Sequence, residues 1–138
     1  MAFYRQIQKA LENWKHAQPH KPLVIRGARQ VGKTTVIKEF GKSFDTFLML
    51  NLERPADKAI FESNLNPKDI FQRICLEKRI HPKGKTLLFL DEIQNSPQAV
   101  SMLRYFYEDL PDIYVISAGS LLEIMMDVHK VSFPDPFQ

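Results

Sequence analysis

Several features that would place a protein in a specialised class are missing from this sequence. A single cysteine, Cys75, excludes an internal disulfide, and its position beside Ile70, Phe71 and Ile74 predicts a core thiol and not a catalytic one. No apolar stretch approaches the roughly 18 residues of a membrane span, and no charged and then apolar leader begins the chain. We therefore expect a cytoplasmic protein that has no membrane partner.

The chain also lacks a large excess of charge of one sign. Its 19 basic and 16 acidic residues give a net charge of +3. Two basic clusters, at residues 15–21 and 78–85, contain none of the interleaved aromatic side chains that stack on nucleic-acid bases. We interpret both clusters as solvated loops, so the composition gives no support for a nucleic-acid partner.

The sequence does contain one motif of high specificity. Residues 27–34 read Gly-Ala-Arg-Gln-Val-Gly-Lys-Thr, a complete G-x-x-x-x-G-K-[ST] phosphate-binding loop that follows the apolar run at 23–25. Gly27 would open the turn, Gly32 would let the backbone approach the phosphates, and Lys33 would reach the β- and γ-phosphates. The residues predicted to bind nucleotide are Gly27, Ala28, Arg29, Gln30, Val31, Gly32, Lys33 and Thr34.

Two positions inside this loop have more than one interpretation. The side chains of Arg29 and Gln30 could contact phosphate or a neighbouring subunit. Alternatively, only their backbone takes part, because backbone N–H groups at a helix N-terminus make most of the contacts in such loops. The sequence leaves both interpretations open.

A second pattern lies downstream of the loop. Residues 86–90 form a continuous apolar run, as expected of a strand buried on both faces, and the run ends in Asp91 and Glu92. Asp91 would reach the magnesium that Thr34 also contacts, while Glu92 would orient and deprotonate a water beside the γ-phosphate. Two solvated acids after a buried strand would look the same, but the upstream loop favours the catalytic interpretation.

A third strand, predicted at residues 113–116, leads into small polar residues. In P-loop ATPases with an additional strand between the two motifs, a polar side chain after this strand contacts the attacking water or the γ-phosphate. Ser120 is our candidate for that role, with Ser117 behind it. Ser120 could also cap a helix beginning at Leu121, with Glu123 completing a capping box, and both interpretations remain open.

The order of predicted elements alternates helices with strands. An amphipathic helix over about residues 1–17 precedes the first strand, and helices follow the loop, the second strand and the Asp-Glu pair. This order predicts an α/β three-layer sandwich with a mostly parallel sheet and with nucleotide at the carboxyl edge of its strands.

Three segments together resemble a known family. Residues 27–35, the Leu-Asp-Glu-Ile-Gln at 90–94 and the Ala-Gly-Ser-Leu-Leu-Glu at 118–123 are similar to the prokaryotic AAA-type ATPases that usually carry a C-terminal domain of unknown function. The resemblance runs from the first helix to Pro134. It implies an AAA-like core that binds ATP and Mg²⁺ through residues 27–35, including Thr35, and through Asp91 and Glu92. It also places Ser120 near the sensor position, but it implies no particular substrate.

The C-terminal end departs from the family pattern. In the resembled core a fifth strand pairs beside the loop strand, whereas here residues 132–138 include Pro134 and Pro136, which lack ladder donors. We therefore predict one truncated domain over residues 1–138. Its P-loop core spans about 22–131, its tail is irregular at 132–138, and both the last strand and the lid are missing.

The function predicted from these motifs is Mg-ATP binding with hydrolysis to ADP and phosphate, impaired by truncation. One alternative is a non-catalytic nucleotide-binding or interaction remnant, and another is a P-loop phosphotransferase. A GTPase is disfavoured because the chain has no Asn/Thr-Lys-x-Asp guanine motif. Family members often complete their site across subunits, so we expect a homo-oligomer or an unknown protein partner.

Overall fold

The computed structural model describes residues 2–17, 19–26, 32–119 and 129–132, with the backbone alone at 2–4, 26 and 129–132. The helices are α1 (Ala2–His16), α2 (Lys33–Gly41), α3 (Pro55–Phe61), α4 (Pro67–Lys78) and α5 (Pro97–Asp109), with a 3-10 turn at Ile93–Asn95. The strands are β1 (Leu23–Arg26), β2 (Thr46–Asn51), β3 (Thr86–Asp91), β4 (Ile113–Gly119) and β5 (His129–Ser132).

The strands form one parallel sheet in the order β2-β3-β4-β1-β5. Strand β3 is buried at every position, as its unbroken apolar run predicts. Parallel strands need crossover connections, and the helices within the described residues cover both faces of the sheet. The predicted α/β sandwich with a parallel sheet is confirmed.

Two apolar cores lie on opposite faces of this sheet. On one face, Ile7, Leu11 and Trp14 of α1 join α2 against the side chains of β1, β3 and β4. On the other, α3, α4 and α5 pack against alternate residues of β1, β2, β3 and β4. Cys75 lies in this second core, where burial raises its thiol pKa, and the predicted core role of this thiol is confirmed.

The prediction that the core lacks its last strand is wrong. Strand β5 pairs parallel with β1, with Leu23 opposite His129 and Arg26 opposite Ser132. The two prolines that argued against a strand lie beyond it, at 134 and 136, so they remove no donor from the β1–β5 ladder. The edge of β1 is therefore covered by β5.

None of the helices within the described ranges combines the length and the apolar character that a bilayer crossing requires.

The end of the sheet opposite the predicted site is closed by aromatic packing around Tyr114. Trp14 meets the Tyr114 ring edge-on at 5.7 Å and donates its Nε1–H to the carbonyl of Lys21. The His20 ring stacks on Tyr114 with centroids 3.9 Å apart, and His20 Nε2 donates to the Pro111 carbonyl over 2.9 Å. His20 Nδ1 is buried and has no hydrogen-bond partner among the described residues. A proton added there would therefore lack an acceptor.

We predict that His20 makes stability depend on pH. Burial lowers the pKa of His20 from 6.5; the bond to Pro111 opposes this shift, Lys85 adds to it, and Asp112 opposes it. The unfolded chain then binds more protons than the folded chain, so the free energy of unfolding falls as pH drops below about 6.5 and levels off above it.

The prediction is tested by urea unfolding of wild type and His20→Phe between about pH 7.5 and 5.5. Phe keeps a stacked ring and cannot titrate, so His20→Phe should lose less stability over this range than wild type. His81→Phe alters an exposed histidine and should keep the slope that His20 supplies. Equal slopes for wild type and His20→Phe would contradict the prediction.

Candidate functional site

The carboxyl edge of the sheet brings together two of the predicted site residues. Helix α2 begins at Lys33, soon after β1 ends, and β3 ends at Asp91, with β4 lying between β1 and β3. Lys33 Nζ is 3.1 Å from Asp91 Oδ1. Both residues are buried, with 7% and 8% of their surfaces exposed. The loop motif and the acidic motif therefore meet in a single ion pair.

Burial of this ion pair carries a large desolvation cost. Removing an ammonium and a carboxylate from water costs several kcal/mol each, and the attraction between them roughly offsets that cost. Loss of one partner would leave a buried charge uncompensated, which costs about 3–5 kcal/mol. Asp91 Oδ1 also accepts the backbone N–H of Glu92 over 2.9 Å, so one carboxylate oxygen fixes both Lys33 and the start of the next turn.

The N-terminus of α2 provides donors for an anion. Gly32, which caps the helix, has φ 98° and ψ −15°, a left-handed conformation that favours glycine. Its carbonyl accepts the first helical bond from Val36 N over 2.9 Å, and no side chain caps the helix end. Because α2 begins at Lys33, its first-turn N–H groups and the positive end of its dipole lie at the residue that pairs with Asp91. Backbone donors, a positive dipole end and an ammonium together suit a polyphosphate.

Glu92 lies in an unusual turn directly after β3. Its backbone is left-handed, with φ 53° and ψ 44°, a conformation that side chains other than glycine adopt at a cost. Asn95 closes the turn from the other side, because its Nδ2 donates to the Glu92 carbonyl over 3.0 Å. Gln94 Nε2 donates to Glu92 Oε2 over 2.8 Å. The Glu92 carboxylate is buried in this position.

A second ion pair supports the end of β2, next to Asp91. The buried Asp57 accepts the backbone N–H of Asn51 over 2.9 Å and the ammonium of Lys78 over 3.1 Å. It therefore ties β2 to α3 and α4. Just past β2, Leu52 N donates to the Asp91 carbonyl over 3.0 Å. This chain of contacts fixes the backbone that carries Asp91.

The remaining predicted site residues differ in burial, and several lie outside the described part of the chain. Thr34 is half-buried in the first turn of α2, and Thr35 is exposed. Ser117 is fully buried in β4, and its hydroxyl has no hydrogen-bond partner among the described residues. The predicted site residues that lie outside the described part of the chain are Gly27, Ala28, Arg29, Gln30, Val31 and Ser120.

Sequence reasoning missed the turn after β3. Asn95 carried no signal for its bond to the Glu92 carbonyl, and a left-handed glutamate is not expected from residue type. The contact between Gln94 and Glu92 was not predicted either. Gln94 does not cap the next helix, because Ser96 Oγ accepts the N–H of Ala99 and so caps α5.

Comparisons with solved structures identify chains of similar fold. The match to the structure of C. elegans PCH-2 has a TM-score of 0.58 at 16% identity, and it covers 97% of this chain and 43% of the PCH-2 chain. The structure of Drosophila ORC bound to DNA has a TM-score of 0.57 at 14% identity, covering 89% of this chain and 81% of its own. The Walker-type ATPase PABY2304 of Pyrococcus abyssi has a TM-score of 0.50 at 15% identity, covering 96% of this chain and 52% of its own. This chain thus spans less than half the length of the PCH-2 chain. At these identities the likeness concerns the fold alone.

A search of curated proteins found no significant match. Residues 19–135, which include both motifs and every strand of the sheet, match the AAA domain family. The chain therefore belongs to the AAA domain family, which consists of ATP-binding proteins.

Proposed function

We propose that this chain binds Mg-ATP at the carboxyl edge of its sheet and hydrolyses it to ADP and phosphate. The observation that carries the proposal is the buried Lys33–Asp91 pair, with 3.1 Å between Nζ and Oδ1, at the open N-terminus of α2 and beside Glu92. A cation, a carboxylate and helix-end donors at one edge of a parallel sheet suit a nucleotide triphosphate.

Lys33 and the first turn of α2 hold the phosphates in this proposal. Lys33 is the first residue of α2, and its ammonium has three hydrogens, so it can bind phosphate oxygens while it stays close to Asp91. Gly32 keeps the approach to these donors free of a side chain. Residues 27–31 of the loop lie outside the described part of the chain and would supply further backbone donors, as the motif predicts.

Thr34 and Asp91 are the residues proposed to hold magnesium. Hydroxyl and carboxylate oxygens are the ligands that Mg²⁺ prefers, and Asp91 is placed by two hydrogen-bonding contacts of its Oδ1. When bound, magnesium neutralises charge on the phosphate oxygens.

Glu92 is the proposed general base. Glu92 is buried, and its backbone N–H donates to the same Asp91 Oδ1 that contacts the Lys33 ammonium. It would accept a proton from the water whose oxygen attacks the γ-phosphorus, while the bond from that phosphorus to the ADP oxygen breaks.

Ser120 remains a proposed contact to the γ-phosphate. A homo-oligomer, a protein partner and a single domain over residues 1–138 also stay predictions.

The phosphate-binding role of Lys33 predicts a loss of affinity in Lys33→Ala. Loss of a charge-assisted hydrogen bond worth about 1.5–3 kcal/mol should weaken Mg-ATP binding about tenfold to a hundredfold. Calorimetric titration measures this change. Lys38→Ala removes an exposed lysine from the same helix and should bind like wild type. Equal affinity for wild type and Lys33→Ala, both folded by circular dichroism, would exclude this site.

The base role of Glu92 predicts a separate effect on turnover. Glu92→Gln keeps the shape of the side chain but cannot accept the proton, so phosphate release should fall at least about a hundredfold while Mg-ATP binding is retained. Glu77→Gln, an exposed change on α4, is the matched control. Equal release by wild type and Glu92→Gln would contradict the base role.

The same assay separates the alternatives. Phosphate release in the absence of an acceptor excludes a phosphotransferase. A folded wild-type chain that binds Mg-ATP without releasing phosphate would be a non-catalytic binding module. Competition between ATP and GTP tests whether the site prefers adenine or guanine nucleotides.

A further inference from the structure

The Gln94 side chain forms a hydrogen bond with the Glu92 carboxylate. Its Nε2 donates to Glu92 Oε2 over 2.8 Å. A carboxylate only accepts hydrogen bonds, so the amide nitrogen must face it and the amide oxygen must face elsewhere. That oxygen, Gln94 Oε1, is buried and has no hydrogen-bond partner among the described residues.

The capping role that would make Gln94 a structural residue is filled by its neighbours. Ser96 Oγ accepts Ala99 N over 3.1 Å and caps α5, while Asn95 Nδ2 donates to the Glu92 carbonyl and closes the turn. Both bonds form without the Gln94 side chain. What Gln94 adds is the contact with the Glu92 carboxylate.

This arrangement costs stability in two adjacent places. The backbone of Glu92 is left-handed at φ 53°, and the unpaired Gln94 Oε1 gives up a hydrogen bond that it would make in water. Such costs persist where the surrounding structure enforces them, and they concentrate at functional sites. Here they fall on Glu92 and on the residue that contacts its carboxylate, directly after the aspartate that pairs with Lys33.

We propose that Gln94 is a positioning residue that holds the Glu92 carboxylate in the orientation needed to accept a proton. This inference rests on the proposed hydrolysis. It extends the proposal by assigning the orientation of the base to a second side chain, two residues further along the chain. Gln94 acts through Glu92, so its removal affects turnover and leaves the phosphate-binding end of α2 unchanged.

The test separates turnover from binding in two variants. Gln94→Met has nearly the same length but no donor, and steady-state phosphate release should fall about tenfold to a hundredfold while the Mg-ATP dissociation constant stays at the wild-type value. Gln94→Glu keeps the shape and places a second carboxylate against Glu92, so turnover should fall at least as far. Gln98→Met is the matched control, because Gln98 is exposed in the first turn of α5.

Each outcome decides the inference. A Gln94→Met turnover equal to or above wild type would overturn it, and an increase would show that Gln94 restrains Glu92. A parallel loss of affinity, turnover and thermal stability in both variants would show a structural role and would also overturn it. Failure of wild type itself to release phosphate would instead refute the proposed hydrolysis, which is a distinguishable result.

Discussion

The Lys33–Asp91 ion pair is the contact on which the rest of the site depends. It joins the helix after β1 to the end of β3, and these elements come within 3.1 Å of each other because β4 alone separates their strands in the sheet. Parallel pairing places the carboxyl ends of all three strands at one edge. A strand order with several strands between β1 and β3 would separate the lysine from the aspartate. The sheet topology is thus what turns two distant sequence motifs into one site.

Stability and function are distributed over different parts of the molecule. The two apolar cores, on either face of the sheet, and the aromatic cluster around Tyr114 stabilise the fold. The carboxyl edge contains a buried ion pair that adds little net stability. It also contains a left-handed glutamate and the amide oxygen of Gln94, which has no partner among the described residues, and both of these cost free energy. Because the Asp57 contacts and the β3 ladder fix the backbone there, the edge keeps this arrangement without unfolding.

Much of the fold could be predicted from local signals in the sequence. The apolar run before Asp91 identified β3, and the glycine–lysine spacing identified the start of α2, because both patterns reflect short-range requirements of strand burial and helix-end geometry. Strand β5 is hard to predict because two prolines follow it closely and the four residues that pair with β1 carry little apolar pattern. The contact between Gln94 and Glu92 depends on a left-handed turn that residue type does not predict, so its geometry required the structure.

The central claim is that the start of α2 and the end of β3 form one ligand site. Hydrogen exchange followed by mass spectrometry, with and without Mg-ATP, tests it most directly because the readout is local. The account predicts that Mg-ATP slows exchange together in peptides covering residues 32–35 and 91–95. Protection of only one of these segments, or protection confined to other parts of the chain, would contradict it.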